Sequence, residues 1–133
     1  MIEFKNVAMH FGERMLFENV ALALPQGSFH FLTGPSGAGK TTLIRLCSVE
    51  MRASAGEVRL FEEPVSGMNR NAVAHLRRRI GIVHQDSRFI DHLSLAENIL
   101  MPLAVSRTVT TQDRDHLEEL LAWVGLSGQA GQT

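Results

Sequence analysis

The sequence contains a single cysteine, Cys47, among its 133 residues. One thiol cannot form an internal disulfide or a cysteine-rich zinc site. Its position in a predicted helix is typical of a small buried hydrophobic residue, and its isolation favours a reducing compartment. The sequence also has no excess of positive charge, since 13 Lys and Arg residues face 14 Asp and Glu residues. Near-neutral charge does not indicate a nucleic-acid surface, so we expect no nucleic-acid partner.

Long apolar runs are also missing. No stretch approaches the roughly 20 apolar residues that a membrane span requires. The first residues alternate like a strand and contain no apolar core of a signal peptide. We therefore expect a soluble chain whose association with a membrane depends on a partner.

A glycine-rich motif, G-x-x-x-x-G-K-T, runs from Gly34 to Thr41 and is followed by Thr42. Glycines let backbone N–H groups turn inward around a phosphate without Cβ clashes. In such a P-loop the lysine reaches the β- and γ-phosphates, and the Thr41 hydroxyl can ligate Mg²⁺. The motif predicts a nucleotide site made by Gly34, Pro35, Ser36, Gly37, Ala38, Gly39, Lys40, Thr41 and Thr42.

The surroundings of the motif fit a strand–loop–helix unit. Residues 28–33 are short, mostly apolar and rich in β-formers, which predicts a buried strand. Residues 42–47 place Leu43, Leu46 and Cys47 at helical spacing. The helix would direct the positive end of its dipole toward the bound phosphate.

The remaining patterns give an alternating order of strands and helices. Strands are predicted over 2–9, 20–24, 57–61 and 80–83, the last one buried, and turns over 12–14, 25–27 and 54–56. Residues 69–79 predict a short basic helix. Ser94 and Thr110 open two further helices with capping-box patterns. Pro102 is expected to end the first of these, and Gly125 to terminate the second.

This order resembles the nucleotide-binding domain of ATP-binding cassette (ABC) transporters. In that family an aromatic residue upstream of the P-loop stacks on adenine, and Phe11 occupies this place. Residues 82–86 resemble the family's Q-loop, in which Gln85 would lie near Mg²⁺ and the attacking water. The resemblance implies that Lys40 and Gln85 are catalytic, that Thr41 and Gln85 are metal ligands, and that ATP and Mg²⁺ are bound.

The resemblance also implies a fold class and a domain organisation. The expected fold is α/β, a P-loop NTPase of ABC type, with N-terminal antiparallel strands and part of a parallel core sheet. Residues 1–133 would be the N-terminal portion of one ABC ATPase domain, with the P-loop at 34–42, the Q-loop at about 82–86 and the start of the helical subdomain at about 94–126. Ala53 departs from the family, which most often has proline there.

Several family elements do not occur in these residues. The LSGGQ signature is absent, and residues 126–129 resemble only a shortened form of it. Also absent are the apolar run that ends in Asp-Glu and the histidine that follows it in the family. We expect a chain truncated before the signature and inactive by itself as an ATPase. We also expect Phe29, Phe31, Ile80 and Ile82 to lose packing partners, an edge of the sheet to be exposed, and the chain to be poorly stable.

Within the family, residues 31–43, 76–81 and 85–90 resemble the cell-division ATPases of the FtsE type. That resemblance implies an integral membrane partner of the FtsX type, a homodimer in the complete protein, and a peripheral location on the cytoplasmic face of the inner membrane. Residues 86–93 would face the partner. The lipoprotein-release and macrolide-export ATPases share many of the same phrases. The residues also leave open a small-molecule kinase, a soluble ABC ATPase acting on DNA or ribosomes, and a non-catalytic nucleotide-binding fragment.

Overall fold

The computed structural model describes residues 1–86 and 89–133, and the chain divides into two compact units, Met1–Ile82 and Val83–Thr133. The first unit contains β1 (Ile2–Phe11), β2 (Arg14–Leu24), α1 (Lys40–Cys47), β3 (Ala55–Leu60), β4 (Glu63–Pro64) and α2 (Arg70–Arg77). The second contains α3 (Leu95–Ser106) and α4 (Thr111–Trp123). The α/β class and the antiparallel N-terminal strands are confirmed.

The sheet of the first unit is antiparallel, with strand order β2-β1-β3-β4. A bulge in β1, where Asn6 has φ of 50°, lets Phe4 and Val7 face the same core although they lie three residues apart. They pack with Val58 and Leu60 of β3 and with Leu46 of α1. Each fully buried side chain of this kind contributes about 2 kcal/mol of transfer free energy. This core holds α1 against the sheet.

The strand β2 begins at Arg14, six residues earlier than the pattern predicted. The reason is the neighbouring strand, because β1 pairs Met9 with Phe17 and Phe11 with Arg14 across a two-residue turn. Residues that lack a clear alternation of polar and apolar side chains are thus held in β2 by hydrogen bonds to β1.

The predictions of strands over 28–33 and 80–83 are wrong for this structure. A strand requires a hydrogen-bonded neighbour, and neither segment pairs with another strand within the described part of the chain. Phe29 and Phe31 are 81% and 83% exposed and contact each other edge to face at 4.9 Å. Val83 is 97% exposed, which contradicts the buried strand predicted there. The loss of packing partners expected for Phe29 and Phe31 is confirmed. The same expectation is wrong for Ile80, which is half-buried and packs against the main core. The poor stability stays a prediction.

In the second unit, both predicted capping boxes are present. Ser94 accepts a hydrogen bond from the Glu97 amide and donates its own amide proton to the Glu97 carboxylate, at 3.3 and 2.8 Å. Thr110 and Asp113 form the same pair at the start of α4. These local signals were readable in the sequence because the spacing alone specifies them.

Pro102 does not end α3, which continues to Ser106. Proline in a helix interior removes one backbone hydrogen bond and costs about 3 kcal/mol. Leu103, in the turn after the proline, packs against the buried cluster of Leu100, Leu117 and Leu121, and this packing offsets the cost. The prediction that the helix stops at Pro102 is therefore wrong.

The helix α4 ends as predicted, at Gly125, which has φ of 80°. The Gly125 amide donates to Ala122 O at 3.1 Å, and the Leu126 amide donates to Leu121 O at 2.7 Å. This is a complete Schellman motif, and Leu126 packs on the same cluster as Leu121.

The start of α4 should respond to acid. Arg107 donates two hydrogen bonds to Asp113, at 2.7 and 2.6 Å, and these lower the pKa of that carboxyl, with a further contribution from Thr110. Because the folded pKa lies below the ordinary value of about 3.9, the carboxylate stabilises the helix above about pH 4 and this contribution is lost as the pH falls further. We expect the circular-dichroism signal of helix to fall below pH 4 by more in the wild-type chain than in Asp113→Asn. Identical acid titrations of the two chains would contradict this role.

Candidate functional site

The glycine-rich loop leads directly into α1, as the motif predicts. Gly34, Gly37 and Gly39 have φ values of 149°, 78° and 91°. At Gly39 an added Cβ would lie 3.1 Å from both Leu16 Cδ2 and Phe17 Cδ1. Glycine is therefore favoured at this position by the backbone conformation, and the loop approaches β2 closely there.

Lys40 holds its ammonium group against the loop. Its Nζ donates to Gly34 O and Pro35 O, both at 2.8 Å. Within residues 1–86 and 89–133 these two neutral carbonyls are its only partners, so the ammonium group has no counter-charge there. The loop therefore carries a positive charge that can bind an anionic phosphate.

The first turn of α1 offers backbone donors to the same place. Its N-cap is Gly39, which provides no side-chain hydrogen bond, and no acidic residue lies in the first turn. The first N–H groups of a helix have no partner within the helix, and the dipole gives this end partial positive charge. Together with Lys40, these amides make an anion-binding geometry.

A cleft of about 530 Å³ lies between this loop and the β1–β2 hairpin. Phe11, at the end of β1, is half exposed and lines the cleft. The fold thus brings Phe11 together with most of the predicted P-loop residues. The residues that line the cleft are Phe11, Arg14, Leu16, Ser36, Gly37, Gly39, Lys40, Thr41 and Thr42. Stacking of adenine on Phe11 stays a prediction.

Two cleft residues, Arg14 and Leu16, were not found from the sequence. Arg14 is the cross-strand partner of Phe11, so a tight turn at 12–13 would have placed both on one face. Leu16 lies where the β1–β2 register shifts, and side-chain alternation does not predict such a position.

The predicted metal ligands, Thr41 and Gln85, lie in different units. Thr41 lines the cleft, and its hydroxyl is an oxygen ligand of the kind that Mg²⁺ takes. No cluster of three His, Cys, Asp or Glu side chains suited to a metal occurs in residues 1–86 and 89–133. Thr41 therefore fits a Mg²⁺ ion that obtains most of its ligands from nucleotide phosphates and water. Gln85 is exposed in the second unit, and its catalytic and metal-binding roles stay predictions.

Cys47 lies on α1 behind the loop and is partly buried. Burial raises the pKa of its thiol to about 11. A thiol that is neutral at physiological pH is a poor nucleophile. The residue therefore behaves as the small hydrophobic side chain that the sequence predicts, packed at the edge of the main core.

The loop predicted to face a partner is only partly described, since Ser87 and Arg88 lie outside the described residues. Asn98 of α3 fixes its second half by donating to Ile90 O at 3.2 Å and to Leu93 O at 3.0 Å. Phe89 is 64% exposed and, with Ile90 and Leu93, lines a cavity of about 480 Å³ in the second unit.

Residues 126–129, which resemble a shortened signature, follow α4 as a turn. Leu126 belongs to the Schellman motif, and the Gln129 amide donates to Leu126 O at 3.1 Å. The carbonyls of Ala130 and Gln132 then accept hydrogen bonds from Ala96 and Leu95 in the first turn of α3. This segment therefore closes one helix and caps another.

None of the helices described in either unit has the length and apolar character to cross a membrane.

Comparisons with known proteins agree with the geometry. The ABC transporter family model matches residues 17–133. The methionine import ATP-binding protein MetN of Histophilus somni is 33% identical over 95% of this chain and 38% of its own length. The lipoprotein-releasing system ATP-binding protein LolD of Porphyromonas gingivalis is 31% identical over 98% of this chain and 60% of its own.

Another relative is the spermidine/putrescine import ATP-binding protein PotA of Pseudomonas aeruginosa, which is 31% identical. The chain spans 35 to 60% of the length of these curated relatives. The dimeric structure of MJ0796, a bacterial ABC transporter cassette, superposes with a TM-score of 0.83 at 28% identity and covers 98% of this chain and 60% of that one. A post-hydrolysis state of the same cassette contains ADP and Pi.

Proposed function

This chain belongs to the ABC transporter family, and we propose that it binds ATP with Mg²⁺ in the cleft between the β1–β2 hairpin and the P-loop. The main observation behind this proposal is that two positive features occur together. Among the described residues the Lys40 ammonium has no counter-charge, and the first-turn amides of α1 have no side-chain cap. These groups lie across the same cleft from Phe11. A triphosphate at the loop and a base at the aromatic ring would match the two ends of the cleft.

In this proposal each residue has a separate task. Lys40 exchanges its carbonyl partners for the β- and γ-phosphates, and the α1 amides bind phosphate oxygens. Thr41 contributes a hydroxyl to Mg²⁺, which neutralises charge on the phosphates when bound. In the complete protein, Gln85 would orient the attacking water. Phosphoryl transfer depends mainly on such positioning and on charge stabilisation.

We further propose that the 133-residue chain binds ATP without hydrolysing it at a significant rate. The support is chemical, since within residues 1–86 and 89–133 no carboxylate lines the cleft and Thr41 is a neutral ligand. The cleft therefore offers the attacking water no carboxylate as a general base.

A phosphate-release assay on the purified 133-residue chain, run beside ATP binding by calorimetry, tests both statements. We expect saturable binding and no release above buffer. Turnover that disappears in Lys40→Ala would overturn the claim of inactivity, and absence of binding would overturn the proposed function itself.

For the complete protein, we propose an ATPase that forms a homodimer and acts with an integral membrane partner on the cytoplasmic face of the inner membrane. Similarity to MetN, LolD and PotA, all ATP-binding proteins of import or release systems, supports a membrane partner. The MJ0796 cassette, whose structure is dimeric, supports the homodimer. We propose that Phe89, Ile90 and Leu93 contact the partner, since an exposed aromatic beside two half-buried aliphatic side chains suits docking.

Our proposal for the identity of that partner is a protein of the FtsX type, with cell division as the process served. The support is the resemblance of residues 31–43, 76–81 and 85–90 to the FtsE type, while LolD-type lipoprotein release is the competing assignment. Co-expression of the complete protein with each type of membrane partner, followed by detergent co-purification, separates the two. Retention with a LolD-type partner alone would overturn the cell-division assignment.

A further inference from the structure

We propose that Arg14 contacts the bound nucleotide and holds the base against Phe11, which makes it a base-contacting residue of the cleft. The inference rests on the proposed function, because it concerns the same nucleotide site. It adds a residue that lies outside the glycine-rich motif and that neither the motif nor the aromatic position predicts.

The position of Arg14 follows from strand register. Phe11 is the last residue of β1, Arg14 is the first of β2, and the two are paired across the turn. Side chains of directly opposed residues in an antiparallel pair point to the same face, with Cβ atoms about 5 Å apart. Both side chains line the cleft. A planar base on Phe11 would thus lie within reach of the Arg14 guanidinium.

The charge of Arg14 is unsatisfied. Within residues 1–86 and 89–133 it has no hydrogen bond, ion pair or ring contact. Other arginines do have partners: Arg59 pairs with Glu57 at 2.7 Å, and Arg79 lies 3.9 Å over the Phe61 ring. Because the guanidinium does not cover Phe11, the aromatic face stays open to a ligand.

The chemistry of guanidinium matches a base beside an aromatic ring. Its plane stacks on nucleobases and interacts favourably with their π-electrons. Lys40 and the first-turn amides of α1, which belong to the glycine-rich loop and its helix, are the groups suited to the phosphates. Arg14 lies on the hairpin wall with Phe11, so its contact is with the base rather than with the terminal phosphates.

Two ligands separate these contacts, namely ATP and inorganic tripolyphosphate, which has the phosphates but no base. We expect Arg14→Ala to weaken ATP binding about fivefold and to leave tripolyphosphate binding unchanged. Arg70→Ala is the matched control, because Arg70 is also exposed and unpaired within the described residues but does not line the cleft. It should change neither affinity, and circular dichroism of all three chains verifies that they fold alike.

Three results would overturn the proposal. Equal ATP affinity in Arg14→Ala and wild type would show that Arg14 makes no contact. An equal loss for ATP and tripolyphosphate would make it a phosphate contact. Failure of the wild-type chain to bind ATP would overturn the proposed function together with this inference, whereas the first two results leave the proposed function standing.

Discussion

Replacing Lys40 with alanine is expected to weaken ATP binding roughly 10- to 100-fold. Hydrogen bonds to charged groups contribute about 1.5–3 kcal/mol, and Lys40 is the first residue of α1, in its open first turn. The variant should still fold, because the two hydrogen bonds of the ammonium go to exposed loop carbonyls. Calorimetric titration with ATP and Mg²⁺ measures the effect.

The sequence provides its own control, since Lys5 is the only other lysine. Lys5 lies on β1 and forms a surface pair with Glu3 at 3.5 Å, away from the cleft. Surface pairs of this kind contribute about 0–1 kcal/mol. Lys5→Ala should therefore bind ATP like the wild type, and an equal loss in both variants would show that Lys40 acts only through overall charge.

Replacing Gly56 with alanine is expected to produce the largest loss of stability in the first unit. The Cβ would lie 2.2 Å from Asn6 O and 2.6 Å from Asn6 C, both backbone atoms of the β1 bulge. Gly56 also has φ of 81°, which costs an L-residue about 1–2 kcal/mol. Strain and clash together should destabilise the unit by more than about 3 kcal/mol, or roughly 15 °C in Tm.

Gly67→Ala separates strain from clash. Gly67 has φ of 83°, nearly the same as Gly56, but an added Cβ would meet no atom within 4 Å. This variant should lose only about 1 kcal/mol. Thermal unfolding followed by circular dichroism compares the two, and loss of soluble protein for Gly56→Ala alone would also agree with the prediction. Equal losses would mean that the close approach to Asn6 has no energetic weight.

Features specified by nearby residues were predictable from the sequence. The start of α1 after the P-loop, both capping boxes and the Gly125 terminus follow from spacing within a few residues. Segments 28–33 and 80–83 read as buried strands, but a strand is completed by distant partners, which they do not have among the described residues. Apolar composition alone predicts burial of Phe29 and Phe31, and their exposure was expected only because the family elements that would pack on them do not occur in these residues.

The residues of the cleft divide in the same way, into those specified by nearby sequence and those that depend on tertiary pairing. The loop residues that line the cleft belong to one contiguous motif, and the family resemblance added Phe11. Arg14 and Leu16 depend on the register of β1 with β2 and on a bulge, which are set by tertiary pairing. The extension of α3 past Pro102 likewise depends on packing in the second unit.

Hydrogen–deuterium exchange of the 133-residue chain, with and without ATP and Mg²⁺, tests the central claim most directly. If phosphates bind the loop and the base binds the hairpin, amide exchange should slow in residues 35–43 and 11–16 and stay unchanged in α4. Unchanged exchange in residues 35–43 at saturating ATP, or protection confined to the second unit, would contradict a nucleotide site in this cleft.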